Sequence, residues 1–200
     1  MDRTAAKLIP MAERSATQWI IHDEKIVDDK LKMVLSRASV ELPDGTLFDQ
    51  WVMRIPAAVL VLMVDDSERV LMMWRHRFIQ DKWVWELPGG YLDDGEELHV
   101  AALREAEEET GWRPRTIEKF LEFQPLVGTV DQPNIIYLAR GATDTGAAPD
   151  VNETDTVRWI PLDEIEGLIA EGKIIGAGSV APLYKLLLAR AEGRLRVQEA

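Results

Sequence analysis

Three glutamates, Glu105, Glu108 and Glu109, stand at positions i, i+3 and i+4 of the stretch "LREAEEETGW". On a helix, that spacing brings all three carboxylates out on one face within about a turn. Hard oxygen ligands grouped in this way suit Mg2+ or Mn2+ rather than zinc. With no cation present, each like-charge contact costs roughly a few tenths of a kcal/mol. The surrounding segment, residues 89–112, holds eight carboxylates and a single arginine in a chain already at a formal charge of −12. The excess is either a solvated glutamate-rich face or the seat of a positive charge that the sequence does not supply. Arg104, four residues before Glu108, is spaced to pair with it.

These side chains need a helix, and the sequence predicts one from Glu96 to Thr110. Asp94 and Glu97 read as a capping box at its start, and Gly111 reads as the C′ residue at its end. Leu98, Ala102 and Ala106 share another face, whose small side chains let the helix lie close against a sheet. Upstream, "KMVLSRASVELPDGTLFDQWVMRI" reads as two strands around an Asp44-Gly45 turn. "AAVLVLMVDDSERVLMMWRHRF" reads as a second hairpin turning at Asp65 to Glu68, and "WVWELPGG" as a short aromatic strand. Downstream, "TIEKFLEFQPL", "NIIYLAR" and "TVRWIPL" read as three more strands, and two helices follow near Asp163 to Glu171 and Ser179 to Ala191. Strands and helices mix without regular alternation, which predicts α/β or α+β packing around a mixed sheet.

Composition narrows the chemistry further. With no cysteine among 200 residues, disulfides, zinc-thiolate sites and cysteine nucleophiles are excluded, and a reducing cytoplasm is the expected setting. The N-terminal twenty residues contain no apolar run of the signal-peptide kind. The run from Ile55 to Val64 is too short to span a bilayer as a helix and fits a buried strand. The acidic balance disfavours nucleic-acid polymers, whose phosphates are met by lysine and arginine patches. It leaves open a small anionic substrate brought in through a metal. His22, His76 and His99 have no ligand spacing, and neither a P-loop nor a Rossmann glycine pattern is present.

The full spacing is informative. Gly90 is followed after five residues by Glu96, and after seven more by Arg104-Glu105. Two residues later come Glu108-Glu109, then one residue and Gly111-Trp112. This pattern resembles the Nudix box at every charged and glycine position. With each such residue near or below a tenth of average composition, chance agreement at all of them comes about once in 10⁷ windows. The resemblance implies an α/β fold: a mixed β-sheet sandwiched between helices, with an N-terminal β arm over residues 1–50 and a Nudix hydrolase domain over 51–200. It also implies metal-dependent hydrolysis of a nucleoside diphosphate linked to another moiety. By motif position, Glu105, Glu108, Glu109 and the Gly89 carbonyl would ligate the metal, Arg104 would hold the glutamates, and Glu96 would support the loop.

Outside the box, "VLMMWRHRF…WVWELPGG" and "EGKIIGAGSVAPLYKLLLA" are similar to the ADP-ribose pyrophosphatase branch. That similarity points to ADP-ribose or a related nucleoside diphosphate sugar, and to a homodimer formed through the β arm. Pro125 and Pro133 straddle the place where a proline stands in that branch. In the loop "APDVNETDTVRWIPL", Glu153 matches the position of a base or further metal ligand, with Asp155 second. Val151 stands where the family often has another carboxylate, so Asp150 and Glu108 remain alternatives as the base. Arg75 and Arg77 alternate on one strand face, within reach of phosphate or ribose oxygens, and with Glu86 and the base-stacking Trp51 complete the expected substrate set. Two other readings stay open: a Nudix pyrophosphatase acting on nucleoside triphosphates or dinucleoside polyphosphates, and a nucleotide-sugar sensor without turnover. The intact glutamates speak against the sensor.

Overall fold

A computed structural model describes residues 17–150 and 154–194. It divides into two units: one runs to Ile55 and takes in Val127–Asp131, and the other comprises Pro56–Leu126 with the chain from Gln132 onward.

The first unit is a sheet in the order β1-β2-β3-β10, made of β1 (Ile20–Asp28), β2 (Val34–Glu41), β3 (Leu47–Arg54) and the short β10 (Val130–Asp131). β2 and β3 form the expected hairpin, paired without a break from Val34↔Arg54 to Glu41↔Leu47. Its turn contains Gly45 at φ 85°, a left-handed value that glycine adopts without strain. Inside this unit Glu24 accepts hydrogen bonds from Arg54 and Ser36.

The second unit holds β4 (Ala58–Val64), β5 (Arg69–Arg77), β6 (Lys82–Glu86), β7 (Gly89–Tyr91), helix α1 (Leu98–Thr110), β8 (Trp112–Pro114) and β9 (Ile117–Phe123). After the excursion through β10 come β11 (Asn134–Arg140), β12 (Ala142–Asp144), β13 (Thr156–Pro161), α2 (Leu162–Ala170) and α3 (Ala177–Ala191). The main sheet runs β13-β5-β4-β11-β9, with β6 on β5 and β7 on β4; β8 and β12 pair separately. The predicted β4–β5 hairpin turns where expected, the Glu68 N–H bonding to the Asp65 carbonyl, but its antiparallel strands pair only at Val64↔Val70. β4 is apolar on both faces and needs neighbours along its whole length. It finds them in β11, parallel over seven residue pairs, and in β7. β5 turns away to β13 and β6.

The alternation along β4 creates two cores. Val59, Val61 and Met63 face Ala101, Ala102 and Ala106 of α1. Leu62 and Val64 face Ile165 of α2 and Leu183 and Leu186 of α3. The sheet therefore lies between helices, as the family resemblance implies. The alanine face of α1 brings its backbone close to β4, which fixes the glutamates on its adjoining face against the sheet's edge.

Candidate active site

Helix α1 starts later than its sequence implies. Its N-cap is Glu97, which makes no capping hydrogen bond, so the capping box of Asp94 and Glu97 does not form. The residues before it turn through Gly95 at φ 80°, and Glu96 reaches back to the Asp93 N–H at 3.1 Å. The same carboxylate accepts from Arg104 at 2.9 and 2.8 Å. The reciprocal bond thus ties the loop to the middle of the helix instead of to its first turn. Arg104 holds the Glu96 carboxyl near a pKa of about 2, well below its ordinary 4.5, with help from the Asp93 N–H. At the other end Gly111 has φ 74° and its N–H bonds to the Glu107 carbonyl, the expected left-handed stop.

Arg104 is the hub of the acidic turn. Its Nη1 lies 2.9 Å from Glu105 and 3.1 Å from Glu108. Its partners raise the guanidinium pKa further, so it stays charged. Glu109 is held differently. Its carboxylate, with a side chain only 4% exposed, accepts from Arg75 at 3.1 Å and from the Gly89 N–H at 2.7 Å. The loop carrying Asp150 joins the same helix, its N–H bonded to the Glu108 carbonyl at 3.2 Å.

Two glycines make this closeness possible. A Cβ on Gly90 would stand 2.6 Å from the Glu105 carboxylate, and one on Gly89 would stand 2.1 Å from the Val59 carbonyl. The strand that carries the Gly89 carbonyl can therefore lie directly against the glutamates. Among the described residues no three acidic or histidine side chains converge as a ready cation cage, because each glutamate is turned toward an internal arginine or N–H. The donor set nevertheless fits a hard divalent ion. It offers carboxylates from one helical turn, and one of them, Glu108, has a side chain 60% exposed.

The structure brings together Arg104, Glu105, Glu108, Glu109, Gly89 and Arg75. Arg77 and Glu86 lie close by, joined by hydrogen bonds of 2.5 and 3.0 Å. With Gly89, Gly176 and Ser179 they line a cavity of about 160 Å³. Trp51 lies on β3 of the first unit, half-exposed. Glu153 and Val151 fall outside the described residues. Arg75's grip on Glu109 was not foreseen. The one signal for it is that Arg75 shares a face with Met73, whose register partner Glu86 sits three residues before Gly89.

A mixed sheet between helices, with a triad of helical carboxylates backed by glycines, defines the class of fold and site. The NUDIX domain model matches residues 53–180, and the chain belongs to that family of hydrolases. It is 43% identical over 170 residues to CMP-5'-(N-acetyl-N-hydroxy-3-aminopropyl)phosphonate hydrolase of Streptomyces rubellomurinus, a match covering 85% of this chain and 82% of the relative. It is 29% identical over 151 residues to ADP-ribose pyrophosphatase of Mycobacterium tuberculosis, covering 74% of this chain and 72% of that one. The crystal structure of an ADP compounds hydrolase superposes with a TM-score of 0.77 at 18% identity, covering 91% of this chain and 100% of that chain. The fold is thus the same, and the resemblance to the ADP-ribose pyrophosphatase-like branch holds. No helix among the described residues is long and apolar enough to cross a membrane.

Proposed function

We propose that this chain hydrolyses the pyrophosphate bond of a nucleoside diphosphate joined to another moiety, with Mg2+ or Mn2+ as cofactor and ADP-ribose or a related nucleoside diphosphate sugar as substrate. The observation that carries this reading is the Glu105–Glu108–Glu109 turn, backed by Gly89 and Gly90 at a distance only glycine permits. A divalent ion at these oxygens supplies the positive charge that neutralises and orients a diphosphate. The side chains do the positioning. Arg75 and the Gly89 N–H hold Glu109 in one orientation, while Arg104, anchored by Glu96, gathers Glu105 and Glu108. Arg77 and Glu86, beside the cavity at Gly89, are the groups to meet phosphate or sugar oxygens, and Trp51 is the residue to stack on the base. Glu153 takes the role of general base or further ligand, with Asp150 and Glu108 as alternatives. The absence of cysteine supports a cytoplasmic setting, and the β arm supports a homodimer.

A second substrate reading rests on the Streptomyces relative, whose name specifies CMP joined to a phosphonate. That bond is also an anhydride between two phosphorus acids, so the same residues would serve it. The deciding experiment incubates the protein and Mg2+ with ADP-ribose, other nucleoside diphosphate sugars, nucleoside triphosphates, dinucleoside polyphosphates and a CMP-linked phosphonate, with products read by mass spectrometry. Cleavage of ADP-ribose to AMP and ribose 5-phosphate, abolished by EDTA, is expected. Cleavage confined to the phosphonate selects the second reading, and turnover in excess EDTA overturns the metal mechanism. Inertness toward the whole panel indicates a sensor. With a substrate in hand, Glu153→Gln is expected to lower kcat by about 10² to 10⁴ with little change in KM. Asp150→Asn is the control, and a reversed pattern assigns the base to Asp150.

A further inference from the structure

Trp74 sits between Met73 and Arg75 on β5, so its side chain points to the sheet face opposite Arg75 and Glu109. Met72, two residues earlier, packs on that other face with α2 and α3. There a second cavity of about 530 Å³ is lined by Trp74, Trp85, Thr156, Arg158, Leu168 and Lys173, with Asp155 at its edge. Nothing in the proposed reaction uses it.

We propose that this cavity is a second ligand site that takes a nucleoside monophosphate, with the base on the indoles and the phosphate on Arg158. Trp74 and Trp85 are neighbours across the β5–β6 pair, with centroids 5.0 Å apart and planes tilted by 47°. Trp83 stacks on Trp74 at 6.2 Å and 20°, extending the aromatic surface outward. Trp74 and Trp85 are half-buried, with Trp85 also packed on the core, and Trp83 is exposed; their π faces at the cavity suit a planar ring. Arg158 stands one step across the sheet from Trp74, on the strand whose Thr156 pairs with it. Its side chain makes no ion pair or hydrogen bond with any described residue, whereas the neighbouring Lys173 is paired with Glu171 at 2.7 Å. A guanidinium with no ion pair to a described residue matches a phosphate. Asp155, an acceptor at the rim, suits the hydroxyls of a ribose. The volume lies within the usual range of small-molecule sites, about 300–1,000 Å³. This inference does not depend on the proposed activity.

The test is isothermal titration of AMP into the full chain in EDTA, where metal-dependent binding at the glutamates is absent. Saturable binding at one site per chain is expected. Arg158→Ala, a change at an exposed residue, is expected to weaken it at least about tenfold, as is replacing AMP by adenosine. Glu109→Gln is expected to leave it unchanged. No saturable binding, equal affinity in Arg158→Ala, or equal affinity for adenosine each overturns the proposal. Loss of binding in Glu109→Gln, with Arg158→Ala unaffected, assigns the ligand to the glutamate site and also overturns it.

Discussion

Glu109 carries the clearest difference between what the sequence implies and what the molecule does. Taken as one of three adjacent like charges, it is a source of repulsion, and neutralising it would relax the helix. In the structure it is buried against Arg75 and the Gly89 N–H. Its removal would leave a largely buried guanidinium without its carboxylate. Glu109→Gln is therefore expected to lower stability by about 1–3 kcal/mol as well as lowering kcat roughly 10²-fold. Glu105→Gln is expected to lower kcat by a similar factor with a smaller change in stability, since Arg104 keeps its bonds to Glu96 and Glu108. Denaturation midpoints and steady-state rates on the two variants check this; equal stability losses would contradict it. The residue types of the site were legible in the sequence, because a helix fixes the spacing of its own side chains. The Arg75 partnership was not, because it spans β5 and α1, and no local periodicity links them.

At the scale of elements, the site depends on a strand and a helix meeting at glycine. Gly90→Ala has no left-handed backbone angle to violate, but its Cβ would press on the Glu105 carboxylate. It is expected to reduce kcat at least about tenfold while the thermal midpoint falls by only a few degrees. A variant with wild-type turnover would show that the close approach is incidental. The loop before α1 brings a pH dependence. The Glu96 pKa falls from 4.5 to about 2 on folding, owing to Arg104 and the Asp93 N–H. Its contribution to stability is then complete above about pH 4.5 and is lost as pH drops toward 2. The acid limb of the stability curve should be shallower in Glu96→Gln over that window, and an unchanged limb refutes the assignment. Hydrophobic patterning made most strands and all three helices readable. The capping box does not form, and the β4–β5 hairpin pairs over less of its length than expected. Local pairing rules favoured both, whereas Glu96 closes the loop through the Asp93 N–H and Arg104, and β7 takes the first half of the β4 edge that faces β5.

At the scale of the molecule, the proposed dimer has a direct check. In the first unit Ile26 and Val27 of β1 and Leu47 of β3 are at least half exposed, more apolar surface than a solvent-facing sheet needs. Sedimentation equilibrium is expected to give a dimer at micromolar concentration and a monomer for the Val27→Asp, Leu47→Asp double variant. A monomeric parent chain, or a double variant that stays dimeric, removes the arm as the interface. The parallel pairing of β4 with β11 bears on the order in which the molecule is made. It joins Ala58 to Asn134, and α1 and its facing glycine strand lie within the chain that this contact encloses. Closing so long a loop is entropically slow, and β4, which α1 packs against, lacks its longest partner until it is done. Divalent ions should therefore act as a latch and not as a template. In stopped-flow experiments Mg2+ should slow unfolding and leave refolding at its rate in EDTA, whereas faster refolding would mean that the acidic turn is assembled before the sheet closes around it.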